Sequence, residues 1–279
     1  TYSTYFRSND MNKFSSKNNL IESQLKKLNK KEEKLIAVKN PSVIKTKLDP
    51  LKSKIEEKIP EKLQTTLNIA FEKGFKTVFD KGIGIIEKTY NKENINMEFD
   101  INSYAINKYP TKKNLKKIDK VANKKTFINK SVSAIEGGTL GLLGIGLPDI
   151  PIYIGVILKS IYEISLSYGF DYNSTEERVY ILNIICASVT LGAERKIYFN
   201  RLDTIANEID NNQYHNYNID ETLKETSNKI STYMLTSKFI QGFPIVGVIG
   251  GITNFKTLQD IGTVAKLKYK QRYLNKLLV

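Results

Sequence analysis

Between Glu136 and Asp171 the chain reads EGGTLGLLGIGLPDIPIYIGVILKSIYEISLSYGFD, and no other stretch is so apolar, so glycine-rich and so sharply broken. The length from Thr139 to Leu158 invites a membrane-spanning reading, which needs about 20 mainly apolar residues. Leu147-Pro148-Asp149-Ile150-Pro151 argues against it, because a proline inside a helix removes a hydrogen bond and clashes with the turn before it. Asp149 reads instead as a helix N-cap, with Pro151 in the first turn, where a missing N–H costs nothing. The spacing predicts a glycine-rich segment ending near Leu147, then a helix from Ile150 to about Tyr168 closed by Gly169 as a left-handed C-cap. Ser174-Thr175-Glu176-Glu177 is a capping box, with Ser174 capping and Glu177 reaching back, and it opens a helix to about Leu191. With Asp171 and Tyr172 as the tip, these two helices read as an antiparallel hairpin. That register brings Glu163 level with Arg178 and Asp149 near Arg195, two expected ion pairs.

Helical periodicity accounts for most of what flanks this hairpin. Residues 1–10 (TYSTYFRSND) read as a tag remnant and are set apart from fold reasoning. From Met11 on there is no contiguous apolar run of the signal-peptide kind. Residues 11–59 read as basic amphipathic N-terminal helices, the first over Asn18 to Lys39 with Leu20, Ile21, Leu25, Leu28, Leu35 and Ile36 on one face. Residues 60–279 read as one all-helical domain. Within it Glu61 to Tyr90 is a long helix whose Gly74, Gly82 and Gly84 suit close helix contact. Asn91 to Tyr109 reads as a polar loop or linker, and Lys112 to Ser133 as a basic helix. Helices follow over Glu194 to Ile209, over Asp220 to Phe239 with Asp220 as cap, and over Phe255 to Leu278. The fold class expected is all-α: a multi-helix bundle around a central hairpin, with glycine- and proline-rich apolar segments on either side.

The motif E-G-G-x-x-G-x-x-G-x-G-L-P-D-I-P, then an apolar helix, Tyr168-Gly169-Phe170-Asp171 and Glu176-Glu177-Arg178, resembles the core motif of the EcsC family. Gly242-Phe243-Pro244-Ile245-Val246-Gly247, with Gly250-Gly251 and Asn254, is similar to that family's C-terminal motif. The resemblance covers roughly residues 120–270. It implies an all-helical bacterial protein of unestablished molecular activity. The family is named for a product encoded beside an ABC transporter, which implies an accessory role to a transporter.

Charge supplies the next constraint. The chain carries 43 Lys and Arg against 29 Asp and Glu, a net of +14. Residues 11–63 hold fourteen lysines and seven acids, and residues 111–130 hold eight lysines and one acid, so two basic blocks flank a neutral body. Such blocks attract anionic membrane surfaces or nucleic acid; the same counts also fit plain solvated faces. Arginine is scarce and no nucleic-acid-binding motif is present, which ranks that partner last. Each basic residue near an anionic surface contributes about 1 kcal/mol.

The chemistry-bearing residues are few. The single cysteine, Cys186, excludes an intramolecular disulfide and cysteine-cluster zinc sites, and its apolar run marks it as core. The single histidine, His215, lies in a polar loop, which argues against two-histidine metal motifs and core Ser/Cys–His catalysis. No metal and no cofactor are expected. The acids in apolar context are Glu136, Asp149 and Glu163. Asp149 and Glu163 lie fourteen residues apart, about 21 Å along one helix, too far for an acid/base pair at roughly 5–9.5 Å. A hydrolase-type pocket at the Leu147-Pro148-Asp149 turn, built from Glu136, Asp149 and Arg195, is the alternative to a capping and ion-pairing role. Gly141, Gly144, Gly146, Pro148, Gly242, Pro244 and Gly247 form the candidate membrane or ligand segment. Asp149 at its middle would cost about 2.5–3.5 kcal/mol in a bilayer, so peripheral or re-entrant association is favoured over a span. The reading that follows is a non-enzymatic EcsC-like protein, cytoplasmic and peripheral on the inner face of the cell membrane, with an anionic surface and a protein as its possible partners.

Overall fold

Apolar residues recur at helical spacing along the chain, and the computed structural model is helical accordingly. It describes residues 2–37, 59–124, 150–213, 216–240 and 250–278, with backbone alone at 2–16, 124, 238–240 and 250–255, and has no β-strand among them. In chain order the helices are α1 (Tyr2–Ala37), α2 (Glu61–Thr77), α3 (Ile83–Glu87), α4 (Lys92–Lys108), α5 (Lys112–Lys124), α6 (Ile150–Ser167), α7 (Thr175–Val189), α8 (Gly192–Asp210), α9 (Ile219–Ile240) and α10 (Gly250–Leu278). The expected all-α class stands. The helix expected over Glu61 to Tyr90 is interrupted by a π-helical turn, Val78–Gly82, between α2 and α3. Of the three glycines singled out there, Gly74 serves close contact: a Cβ on it would press on Ile154 and Ile150 of α6.

α6 and α7 are the apolar centre, with Ile154, Ile157, Leu158 and Ile161 on one and Ile181, Leu182, Ile184 and Ile185 on the other fully buried. They do not zip together as the expected hairpin. α6 rests chiefly on α10, α2 and α4, and α7 on α8, α9 and α10, so α10 lies against both. Both helices are apolar around their circumference, and such helices are buried on all sides. α6 is long and apolar enough to cross a membrane, but most of it is enclosed by the body, as befits a core helix. α1 lies across α10 and α8 with Ile21 buried at the contact.

Local signals decide the ends of the core helices. Ser174 Oγ accepts from the Glu177 N–H at 3.1 Å, as the capping box requires. Glu177 itself does not reach back; its side chain is buried and turned to α10. Gly169 adopts φ +79°, the Phe170 N–H donates to Ser165 O (3.0 Å) and the Gly169 N–H to Leu166 O (2.9 Å). That is a Schellman closure of α6. The cap of α9 is Asn218, whose Oδ1 accepts from the Glu221 N–H at 3.1 Å, and not Asp220, which pairs with Lys76 at 3.1 Å.

Asn91 to Tyr109 is the largest correction: it is α4, not a loop. Asn91 Oδ1 caps it by accepting from the Asn94 N–H at 2.8 Å, and Ile95, Phe99 and Ile106 turn inward. Asn94, Asn96, Asn102 and Asn107 lower the intrinsic helix propensity of α4, and burial of one apolar face overrides it.

Candidate functional site

The residues singled out from the sequence divide into two groups. Glu136, Asp149, Gly141, Gly144, Gly146, Pro148, Gly242, Pro244, Gly247 and His215 lie outside the described residues, and so does any pocket at the Leu147-Pro148-Asp149 turn. Arg195, Arg178, Glu163 and Cys186 can be placed.

Arg195 is buried, and among the described residues its guanidinium meets backbone carbonyls. Its Nε donates to Ala187 O (2.9 Å), Nη2 to Ser188 O (3.0 Å) and Nη1 to Leu35 O (3.0 Å). Those carbonyls are the orphan acceptors at the C-termini of α7 and α1, where a cation also meets the negative end of each helix dipole. Its burial draws its pKa below the usual arginine value. The arrangement pins α1 to the core. Arg178 turns its guanidinium over the Phe79 ring, 5.5 Å from the centroid, and its Nε finds no acceptor among the described residues. Glu163 is buried on α6 and its charge acts on Tyr90.

Cys186 is core, as expected. Its thiol donates to Thr226 Oγ1 at 3.3 Å, and burial pushes its pKa up to about 12. A disulfide reagent at pH 8 should leave the native thiol untouched and label it fully in denaturant, since only the thiolate reacts. Rapid labelling of the folded protein would contradict this placement.

Three polar networks went unnoticed in the sequence because their members come from distant segments. In the first, Arg272 of α10 donates from Nη1 to both carboxylate oxygens of Glu177 (3.0 and 2.7 Å), and from Nε and Nη2 to Asp210 (2.8 and 3.0 Å). The Phe170 and Tyr180 rings lie 4.2 and 5.1 Å from the guanidinium carbon, and the Tyr269 hydroxyl donates to Glu177 at 2.7 Å. In the second, the buried Lys268 bridges Glu32 (2.9 Å) of α1 and Asp203 (2.8 Å) of α8. In the third, the Tyr172 hydroxyl donates to Glu87 at 2.5 Å and meets the Tyr90 hydroxyl at 2.6 Å, while its ring stacks on Tyr162 with centroids 3.9 Å apart. Burial raises the Tyr90 pKa to about 12. Each network ties helices together. Among the described residues no group of three or more His, Cys, Asp or Glu is placed to hold a metal ion.

The surface is where the chain departs most from a plain core-and-solvent pattern. α4 and α5 form a helical hairpin across the Tyr109–Thr111 corner. Thr111 Oγ1 caps α5 by accepting from the Asn114 N–H (3.2 Å), and Asn114 Nδ2 donates back to Tyr109 O (2.8 Å) and Ala105 O (3.2 Å). Leu115, Ile118, Val121 and Ala122 face the body. Asp119 fastens α5 to α10 through Lys270 (2.6 Å), and accepts from the Tyr168 hydroxyl at 3.1 Å. The opposite face of α5 presents Lys112, Lys113, Lys116, Lys117 and Lys120, all exposed. α4 and α5 pack on each other, and both also rest on α6.

The EcsC protein family matches residues 22–274. The chain is 25% identical over 227 residues to Protein EcsC of Bacillus subtilis (strain 168), covering 80% of this chain and 84% of that protein. It is 25% identical over 168 residues to the uncharacterized protein YdbA of the same organism, covering 56% of this chain and 57% of that one. No solved structure matches the chain. With the family matching nearly the whole chain, from inside α1 to the last turns of α10, the protein belongs to the EcsC protein family.

Proposed function

We propose that this protein is a non-enzymatic helical body docked peripherally on an anionic membrane surface, at the inner face of the cell membrane. The observation that supports this reading is the α5 face, where five exposed lysines line one side of a helix held by its apolar seam. At about 1 kcal/mol for each basic residue near an anionic surface, such a face supplies several kcal/mol of attraction. An accessory role at a membrane transporter, which the family resemblance implies, belongs to the same proposal, because a surface-docked body meets such a partner in the plane of the bilayer.

Flotation of the full chain with vesicles tests it. Binding is expected to vesicles rich in phosphatidylglycerol and not to neutral phosphatidylcholine. It should weaken as salt rises from about 0.1 M to about 1 M, which shortens the Debye length from about 10 Å to about 3 Å. Changing all five α5 lysines to glutamine should reduce low-salt binding at least tenfold. No binding to either vesicle at low salt would refute the proposal.

A further inference from the structure

The free face of α4 is unusual for a surface helix. Met97, Ile101 and Tyr104 stand at i, i+4 and i+7, one stripe of an α-helix, and are 56%, 62% and 65% exposed. Tyr109, 66% exposed, continues the line at the corner into α5. Single exposed apolar residues are ordinary, but a contiguous ridge on a free helix face marks an interaction surface. Charge indicates the chemistry of what it meets. Lys108 lies on the same stripe with its Nζ 5.9 Å over the Tyr104 ring. With the five lysines of α5, the hairpin shows six exposed lysines against two exposed acids, Glu93 and Asp100.

We infer that the Met97–Ile101–Tyr104 ridge is the part of the protein that enters the interface of an anionic lipid surface, with Tyr109 at the headgroup level and the α5 lysines on the headgroups beside it. The inference rests on the membrane reading above and names its contact. Methionine and isoleucine supply apolar area, and tyrosine favours the boundary where one end of the ring is dry and the other wet. Lysine stems lie along apolar surface while their ammonium groups stay in water. A helix of this kind lies in the interface plane with its apolar face about 5–10 Å deep. Glu93 and Asp100 flank the N-terminal half of α4, whereas Lys108, Lys112 and Lys113 surround the corner. α4 therefore lies with its C-terminal half drawn closer to the surface than its N-terminal half, which sets Tyr104 and Ile101 deeper than Met97. The ridge also leaves a share of the binding that salt does not remove.

The chain contains no tryptophan, so a single introduced indole reports its own surroundings. Ile101→Trp, Tyr104→Trp and Met97→Trp are made in the full chain, with Ile197→Trp as reference. Ile197 is 57% exposed on α8, a helix that rests on α7, α1 and α10. On phosphatidylglycerol vesicles carrying brominated acyl chains, the Ile101→Trp and Tyr104→Trp variants should shift to the blue and be quenched several-fold more than the Ile197→Trp variant, with Met97→Trp between them. A Met97→Ser/Ile101→Ser/Tyr104→Ser variant with unchanged helical circular dichroism should lose at least tenfold in its vesicle binding constant at low and high salt alike. Vesicle binding without quenching at Ile101→Trp, or with equal quenching at Ile197→Trp, overturns the ridge and leaves surface docking standing. No vesicle binding by the unaltered chain overturns both.

Discussion

An Arg272→Ala variant should lose about 3–5 kcal/mol of folding stability, the cost of breaking a buried ion pair by removing one partner. Arg272 is 3% exposed and makes two-point contact with both Glu177 and Asp210. Burial works against its charge, and the two carboxylates outweigh that, so its pKa rises. Without it Glu177 keeps only the Tyr269 hydroxyl among these contacts. At about 2–4 °C per kcal/mol for a domain of 150–250 residues, the melting temperature should fall by roughly 10 °C. Burial already pushes the Glu177 carboxyl up, with Arg272 first among the groups pulling it down. In the variant the folded-state pKa of Glu177 rises further. A folded state that binds protons more tightly than the unfolded state gains stability as pH falls. The deficit should therefore shrink between neutral pH and about pH 5, and adding Glu177→Gln and Asp210→Asn should restore part of it at neutral pH. Chemical denaturation across that pH range measures both. A loss under about 1 kcal/mol, or one independent of pH, would mean that the network is open to water.

What could be read from the sequence follows the range of the interaction that decides each feature. Ser174 caps α7 and Gly169 closes α6 because each acts within one turn, and the residue type carries the geometry. Glu177 shows the limit inside a single motif: the local rule sends it back to the cap, but a guanidinium 95 positions away claims it. The expected hairpin failed for a related reason. α6 and α7 are apolar all round, so periodicity marks them as buried without naming a neighbour, and α10 takes the place beside both. Arg195 shows the same reach of distant partners: it meets carbonyls at the ends of α7 and α1, and its expected partner Asp149 lies outside the described residues. The α5 lysine block was legible as charge alone. The ridge beside it was not, because Met97, Ile101 and Tyr104 form a stripe only once α4 is known to be a helix, and its asparagines obscured that.

Gly169→Ala should be the most damaging of the small substitutions, because two independent costs meet there. A side chain at φ +79° sits in the left-handed region, at about 1–2 kcal/mol for an L-residue. The new Cβ would also run into the Phe99 ring of α4, and overfilling a well-filled site costs about 1–3 kcal/mol. Phe99 is not free to step aside, since its ring meets Tyr273 of α10 edge-on at 5.8 Å. The expected loss is on the order of 3 kcal/mol, read from urea unfolding of the full chain. The two costs separate in a double-mutant cycle with Phe99→Leu. If the ring contact matters, Gly169→Ala should cost less in the Phe99→Leu background, and the remainder should be the backbone term of about 1–2 kcal/mol. Additive effects would place the whole cost in the backbone. The distinction bears on the surface as well, because only the ring clash pushes α4. Where the cycle shows coupling, the Gly169→Ala variant should also bind anionic vesicles more weakly, since the glycine that closes α6 is what lets the ridge-bearing helix dock beside the lysine face.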